Sequence, residues 1–162
     1  MHSHEQLLAR LFQSLNDHDH LAMGDCYHDL ATFRDIAFNL KGRRQIQAMW
    51  SMICSDNAKG KSTISATVKD LSADADHGRV VVVEDYLFRA TGKSVHNEIV
   101  SSFAFRDGKI LRQTDTCDPI VWARQAYGGC FGFLMGRWEG LRRCLTMHAL
   151  RKTDTGAFQA HQ

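Results

Sequence analysis

The chain has 162 residues, of which 44% are hydrophobic and 23% are charged, and its formal net charge is +2 at pH 7. This length and composition are typical of one globular domain with a sizeable core and exclude a disordered chain. The near-neutral charge predicts no nucleic-acid partner, and no apolar run reaches the roughly 20 residues of a membrane span. The N-terminus lacks the cationic and apolar regions of a signal peptide, so we expect a cytoplasmic protein.

Apolar residues at helical spacing dominate the first third of the chain. The second helix has Asp19 as a candidate N-cap, and the third helix follows Gly42. Between these two helices, a short run of β-branched and aromatic residues predicts a strand. The elements predicted here are helices over residues 5–16, 20–27 and 43–54 and a strand over residues 30–34.

After residue 62 the hydrophobic pattern changes to a period of two, which is typical of half-buried strands. Turn-forming residues, among them Gly92, Asp107 and Gly108, separate these strands and predict hairpins. Helices followed by such a meander, without βαβ alternation, predict an α+β fold. The strands are predicted over residues 63–69, 79–89, 94–105 and 109–117.

The C-terminal part of the chain is predicted to be helical again, over residues 118–148, with a break at Gly128. Asp118 is the candidate N-cap of this segment. Residues 129–152 have a basic amphipathic pattern, which indicates a helix packed on its own domain or on a dimer mate, or one that touches a membrane or an acidic partner. Residues 153–162 are predicted to be frayed.

Cysteine and histidine spacing predicts no metal site. No Cys-x-x-Cys pair and no His-x-x-x-His pair occurs, and five widely spaced cysteines do not suggest a disulfide framework. We therefore expect free thiols at Cys26, Cys54, Cys117, Cys130 and Cys144.

Four strings of the sequence, read in the order of these elements, match a known family: CYHDLATFRDIAF, GRRQIQAMWSMI, VHNEIVSSFAFRDGKI and QTDTCDPIVWARQAYG, at residues 26–38, 42–53, 95–110 and 113–128. They resemble the nuclear transport factor 2-like superfamily in its SnoaL-like, ketosteroid-isomerase-like branch. The resemblance implies a cone-shaped, curved antiparallel sheet wrapped around the N-terminal helices, with an extra C-terminal helix. It also implies one domain over residues 1–162 with its core at 5–128, an apolar interior that holds a small apolar molecule, and a homodimer through the outer face of the sheet.

Asp35 is a candidate general base because its carboxylate lies between two apolar stretches, where a pocket would raise its pKa by desolvation. It matches the general-base aspartate of ketosteroid isomerases, although Ile36 replaces the proline of that motif. The alternative is a structural role, in which Asp35 caps a turn or pairs with Arg34 or Arg43.

Asp115 matches the acid/base aspartate of SnoaL-type polyketide cyclases and is the second candidate catalytic residue; a solvent-facing strand position is the alternative. Ser101 and Leu11 stand where the isomerases have a protonated aspartate and an oxyanion tyrosine. Both replacements weaken enolate stabilisation, so a steroid isomerase is not expected.

Strand alternation predicts which side chains line the interior. If Ser101 points inward, its neighbours two and four residues away do so too, and the hairpin at Gly92 fixes the facing residues of the preceding strand. A slip of one residue would place Asp85 inside instead of Glu84. Tyr27 and Trp50 are candidate wall aromatics, with core packing as the alternative. The predicted substrate-binding residues are Tyr27, Trp50, Glu84, Tyr86, Asn97, Ser101 and Phe103.

These residues and the family resemblance together predict a cofactor-free acid/base enzyme of the isomerase, cyclase or dehydratase type, acting on an apolar substrate. Two alternatives remain. One is a non-catalytic module that binds a ligand or another protein. The other is an epoxide hydrolase, which needs an Asp-Arg-Asp relay whose arginine strand alternation does not place.

Overall fold

The computed structural model describes residues 3–55 and 62–129. Helices form most of the first of these two ranges, and strands form most of the second. This confirms the predicted α+β order. The elements in chain order are α1 Ser3–Asn16, α2 His20–Asp25, β1 Tyr27–Arg34, β2 Asn39–Lys41, α3 Arg43–Cys54, β3 Ser65–Ala73, β4 His77–Phe88, β5 Lys93–Arg106, β6 Lys109–Thr116 and α4 Pro119–Tyr127.

The strands of the described residues form one sheet in the order β2-β1-β6-β5-β4-β3. Strands β3 to β6 are the predicted antiparallel meander. The sheet is nevertheless mixed, because β1 pairs with β6 in parallel, with Phe33 beside Gln113. Register shifts interrupt the β1–β6, β3–β4 and β5–β6 ladders, and irregularities of this kind bend and twist strands.

Capping side chains set the starts of two helices, as predicted. Asp19 Oδ1 accepts hydrogen bonds from the amides of Leu21 and Ala22, at 3.1 and 2.9 Å, and begins α2. Asp118 accepts from the second and third amides after it and begins α4, with Pro119 in the first turn. The prediction that α2 extends to residue 27 was wrong, because the chain enters β1 at Tyr27.

The core lies between α1 and the inner face of the sheet. Leu8, Leu11 and Leu15 of α1 are at most 1% exposed and pack with inner-face residues such as Val80 and Ile110. At about 25 cal/mol per Å² of buried apolar surface, residues buried in this way supply most of the driving force for folding. Helix α4 packs on β5 as a smaller cluster of Val95, Trp122, Ala123 and Ala126.

The predicted basic helix and frayed end, at residues 130–162, lie outside the described residues. Within the described ranges, no helix is long and apolar enough to cross a membrane.

Candidate functional site

A cavity of about 630 Å³ opens between the inner face of the sheet and helices α3 and α4. This volume suits a small organic molecule. Helix α1 contributes no side chain to its wall, because α1 packs against the other part of the inner face. The apolar part of the wall includes Phe33, Phe38, Met49, Ile53, Ile99, Phe88 and Trp122.

The strand register brings the predicted polar residues to this cavity. Glu84 pairs with Asn97 across the β4–β5 ladder, and both side chains line the cavity together with Tyr86. The alternative register is excluded, since Asp85 is exposed and binds His96 Nδ1 at 2.7 Å on the opposite side of the sheet. The predicted inward orientation of Glu84, Tyr86 and Asn97 is therefore confirmed.

Asp115 lines the cavity and is held by a chain of buried hydrogen bonds. Gln113 Nε2 donates to both carboxylate oxygens of Asp115, each at 3.0 Å. Tyr27 Oη donates to Gln113 Oε1 at 2.6 Å and accepts from Trp50 Nε1 at 3.2 Å. Because the tyrosine hydroxyl occupies the amide oxygen, the amide nitrogen of Gln113 must face the carboxylate. The network therefore fixes the orientation of Asp115.

Burial raises the pKa of Asp115 to about 7, although donors on Ser101 and Gln113 lower it and the charge of Asp35 raises it further. The side chain is half-buried, and much of its surroundings is apolar cavity wall rather than bulk water. Ser101 lies opposite Asp115 in the β5–β6 ladder. Its buried hydroxyl lies close enough to Asp115 to lower the pKa of that carboxyl. Among the described residues, however, the hydroxyl forms no hydrogen bond of normal geometry.

Glu84 also lines the cavity as a half-buried side chain, and burial raises its pKa to about 8. The negative charges of Asp115 and Asp35 add to this rise. Desolvation and like charge act in the same direction here, since both disfavour a second or third carboxylate in an apolar space. Glu84 is accordingly a neutral acid at pH 7.

Asp35 lines the same cavity and also caps the turn that follows β1. Its Oδ1 accepts from the amides of Ala37, at 2.7 Å, and Phe38. Amide donors stabilise the ionised carboxylate. Facing the pocket and capping the turn were posed as alternatives, but Asp35 does both. Arg43, one of the two arginines predicted as its ion-pair partners, pairs with Asp29 at 3.0 Å and with Asp25 at 3.9 Å.

Three predicted substrate-binding residues do not lie on the cavity wall: Tyr27, Ser101 and Phe103 are all buried behind it. The hydroxyl of Tyr27 is used between Gln113 and Trp50. Phe103 belongs to the part of β5 that α1 covers. Its ladder partner Gly78 lies against Leu8 of α1. Trp50, by contrast, both lines the cavity and packs edge-on against Phe33 with ring centroids 5.9 Å apart.

Sequence reasoning missed Gln113 and the aromatic residues of α4. Gln113 could have been found from strand alternation, because it lies two residues before Asp115 and so shares its face. Trp122 and Tyr127 reach the cavity from α4 by a long-range packing contact that no local pattern records.

No group of three or more His, Cys, Asp or Glu side chains within residues 3–55 and 62–129 is placed to hold a metal ion. The cavity thus combines two acids that titrate near neutrality with one capped aspartate, inside apolar walls. Such an arrangement can accept and donate protons on a bound organic molecule.

Residues 8–113 match the SnoaL-like domain family. A protein from Jannaschia sp. CCS1, provisionally named a SnoaL-like polyketide cyclase, superposes with a TM-score of 0.66 at 12% identity, over 78% of this chain and 93% of its own. A LEH-like epoxide hydrolase of M. tuberculosis superposes with a TM-score of 0.62 at 13% identity, over 83% of this chain and 91% of its own.

A third solved structure is a hypothetical protein with a ketosteroid isomerase-like fold from Catenulispora acidiphila, in complex with trimethylamine. Its TM-score is 0.62 at 14% identity, over 74% of this chain and 91% of its own. At these identities the likeness shows the fold alone, and the expected nuclear transport factor 2-like fold is confirmed. No functionally curated protein has a significant sequence match to this chain.

Proposed function

The chain belongs to the SnoaL-like domain family, and we propose that it is a cofactor-free acid/base enzyme of the isomerase, cyclase or dehydratase type. Its substrate is a small, largely apolar molecule bound in the cavity between the sheet and helices α3 and α4. Members of this fold include cyclases, isomerases and epoxide hydrolases, so the fold alone does not select among these reactions. The side chains of the cavity must do so.

The observation that carries the proposal is the environment of Asp115. Both carboxylate oxygens receive a hydrogen bond from Gln113, and the surrounding wall is mostly apolar. A general base works best when its pKa lies near the working pH and its orientation is fixed. Asp115 meets both conditions, with a pKa of about 7.

Glu84 and Asp35 complete the division of roles. Glu84, with a pKa of about 8, is protonated at pH 7 and can donate a hydrogen bond to an oxygen that gains negative charge in the reaction. Asp35 accepts hydrogen bonds from the two amides that it caps, and amide donors of this kind stabilise a carboxylate. In this assignment Asp115 moves the proton, Glu84 stabilises the product charge, and Asp35 sets the field that both acids experience.

The test uses 5-nitrobenzisoxazole, whose ring opens to a coloured phenolate when a base removes its C–H proton. We expect the rate to rise with pH through about 7, because only the ionised form of Asp115 accepts a proton. D115N should lower the rate about 100-fold or more, the range in which a lost general base falls. D85N is the matched control, since Asp85 is exposed on the other side of the sheet. Wild-type rates in D115N would contradict the assignment.

A non-catalytic ligand-binding module is the second candidate, and the capping role of Asp35 favours it. Asp35 stands at the position of the isomerases' general base, but here its carboxylate caps a turn. That structural role explains the residue without proton transfer. The epoxide hydrolase alternative has less support, because Arg89, the arginine on the described part of the cavity wall, donates to the carbonyl oxygens of Ile53 and Ser55.

We also propose that two copies of the chain associate through the outer face of the sheet. Light scattering coupled to size-exclusion chromatography would test this, and a monomer at micromolar concentration would refute it.

A further inference from the structure

The cavity wall has an excess of acidic side chains. Among the described residues that line it, the carboxylic acids are Asp35, Glu84 and Asp115, and the basic residue is Arg89. The guanidinium of Arg89 donates to the carbonyl oxygens of Ile53, at 3.1 Å, and Ser55, so it is engaged at the end of α3. Three acids that share one apolar cavity are costly to ionise together, and a positive charge on the ligand would offset part of that cost.

An aromatic corner lies on the same wall. Phe88, Trp122 and Tyr127 all line the cavity, and their ring centroids are 5.6, 5.1 and 6.0 Å apart in pairs. Their planes are nearly perpendicular, at 81°, 74° and 84°. Groups of aromatic rings arranged as the walls of a corner are the usual receptor for quaternary ammonium groups, since ring faces attract cations.

Tyr86 connects the aromatic corner to the acids. Its hydroxyl accepts a hydrogen bond from Trp122 Nε1 at 2.7 Å. It lies two residues after Glu84 on the same face of β4. Besides burial, which is the main cause, the charges of Glu84 and Asp35 raise the pKa of Tyr86, so the corner and the carboxylates lie within electrostatic reach of one another.

We propose that the ligand of this cavity is an organic amine: an apolar body that carries a substituted, cationic ammonium group. The ammonium group lies between the aromatic corner and the carboxylates, and the apolar body fills the remainder of the space. The inference rests on the proposed acid/base function of the same cavity and names its substrate class. A bound ammonium group favours ionised Asp115, the proposed base, and also ionised Glu84, which then pairs with the cation instead of donating a hydrogen bond. One positive charge offsets the repulsion among the acids, which a neutral ligand of the same shape does not.

The proposal implies that binding strengthens as pH rises. Glu84 and Asp115 are protonated at pH 6 and ionised at pH 9, and a cation favours their ionised forms. Among the described residues, the other ionisable groups that face them are Asp35 at the end of β1, Tyr86 and Arg89 on the β4 side, Cys117 after β6, Tyr127 of α4, and Tyr27 behind the wall. Burial raises the pKa of Cys117, Tyr86 and Tyr27, so these three stay neutral in this range.

The experiment compares two probes of the same shape, benzyltrimethylammonium and its neutral carbon analogue neopentylbenzene. Binding is followed by the fluorescence of Trp50 and Trp122, which line the cavity, and protons released are counted by calorimetry in buffers of different ionisation enthalpy. We expect the cation to bind at least tenfold more tightly at pH 8.5 than at pH 6 and to release protons near pH 7.5. A tenfold change corresponds to one pKa unit in a single linked acid.

Variants identify the groups responsible. E84Q and D115N should each reduce the pH dependence of cation binding, and D85N should leave it unchanged. The proposal is overturned by equal or tighter binding of neopentylbenzene, by cation affinity that does not rise with pH, or by no cation binding at millimolar concentration and pH 8.5. None of these binding results bears on the benzisoxazole activity, so the proposed substrate class can be refuted while the acid/base function stands. If D115N and E84Q both keep full benzisoxazole activity while the cation still binds, the acid/base function is rejected and the amine site stands.

Discussion

The substitution Tyr27→Phe tests how much the buried hydrogen-bond chain behind the cavity contributes to the stability of the fold. Tyr27 is completely buried, and its hydroxyl accepts from Trp50 Nε1 and donates to Gln113 Oε1. Phenylalanine keeps the ring and therefore the packing. The change thus removes one oxygen atom and leaves the indole N–H of Trp50 and the amide oxygen of Gln113 without their partner.

The expected loss follows from these two orphaned groups. A buried polar group left without a hydrogen bond costs about 1–3 kcal/mol. Two of them predict that Y27F lowers the free energy of unfolding by about 2–6 kcal/mol, a large part of the about 5–15 kcal/mol that stabilises an ordinary domain. Urea unfolding followed by circular dichroism and tryptophan fluorescence measures this directly.

Tyr86→Phe is the matched control. The hydroxyl of Tyr86 accepts one hydrogen bond, from Trp122 Nε1 at 2.7 Å, and the side chain is half-buried at the cavity. We expect a loss of about 1 kcal/mol, because one donor is affected and cavity water can replace its partner. A Y27F protein within 0.5 kcal/mol of wild type would refute the reasoning, as would a Y27F effect no larger than that of Y86F.

Three further predictions concern the acids themselves. Burial raises the pKa of Glu84 to about 8 and of Asp115 to about 7, so these two groups destabilise the fold progressively as pH rises from about 4 through 8. E84Q and D115N should therefore raise the free energy of unfolding by about 1–3 kcal/mol at pH 9 and by much less at pH 4. D35N should lower the pKa of both acids, measured by carbon NMR of their carboxyl groups, because the charge of Asp35 raises them; D85N should not. Q113L should raise the pKa of Asp115, because the amide that donates to both of its carboxylate oxygens is lost. The midpoint of the benzisoxazole pH–rate profile should then move upward. An unmoved midpoint would show that Gln113 does not act on the base.

Local pattern was sufficient for most of the elements. Helix α3 was predicted over the residues that form it, because Gly42 supplies the positive φ at its start and the apolar stripe ends with it. The start of β1 was missed because its first residues join the sheet through Tyr27 and Ile110, a contact that sequence periodicity does not encode. The three-residue strand β2 exists by pairing with β1 and has no hydrophobic period of its own.

The sequence predicted which face of the sheet the site residues point to, but not which of them reach the cavity. Alternation correctly turned Asn97, Ser101 and Phe103 of β5 to the inner face, yet only the first of these reaches the cavity. The other two are buried, and the ladder partner of Phe103, Gly78, lies against Leu8 of α1. Which part of a continuous strand face a helix covers is decided by tertiary packing. A one-dimensional pattern therefore cannot separate lining residues from core residues.

The contacts of the three acids explain why their roles are not interchangeable. Two main-chain amides donate to Oδ1 of Asp35, and these amides belong to the turn that Asp35 itself forms. Because the turn fixes Asp35 at the cavity, its negative charge disfavours ionisation of Glu84 and Asp115 and raises the pKa of both. Between these two, the donors of Gln113 and Ser101 favour ionised Asp115, whereas no described side chain donates a hydrogen bond to Glu84. Asp115 is therefore the acid of this cavity best suited to the proposed role of base, because it has both a raised pKa and donors that hold its conjugate base.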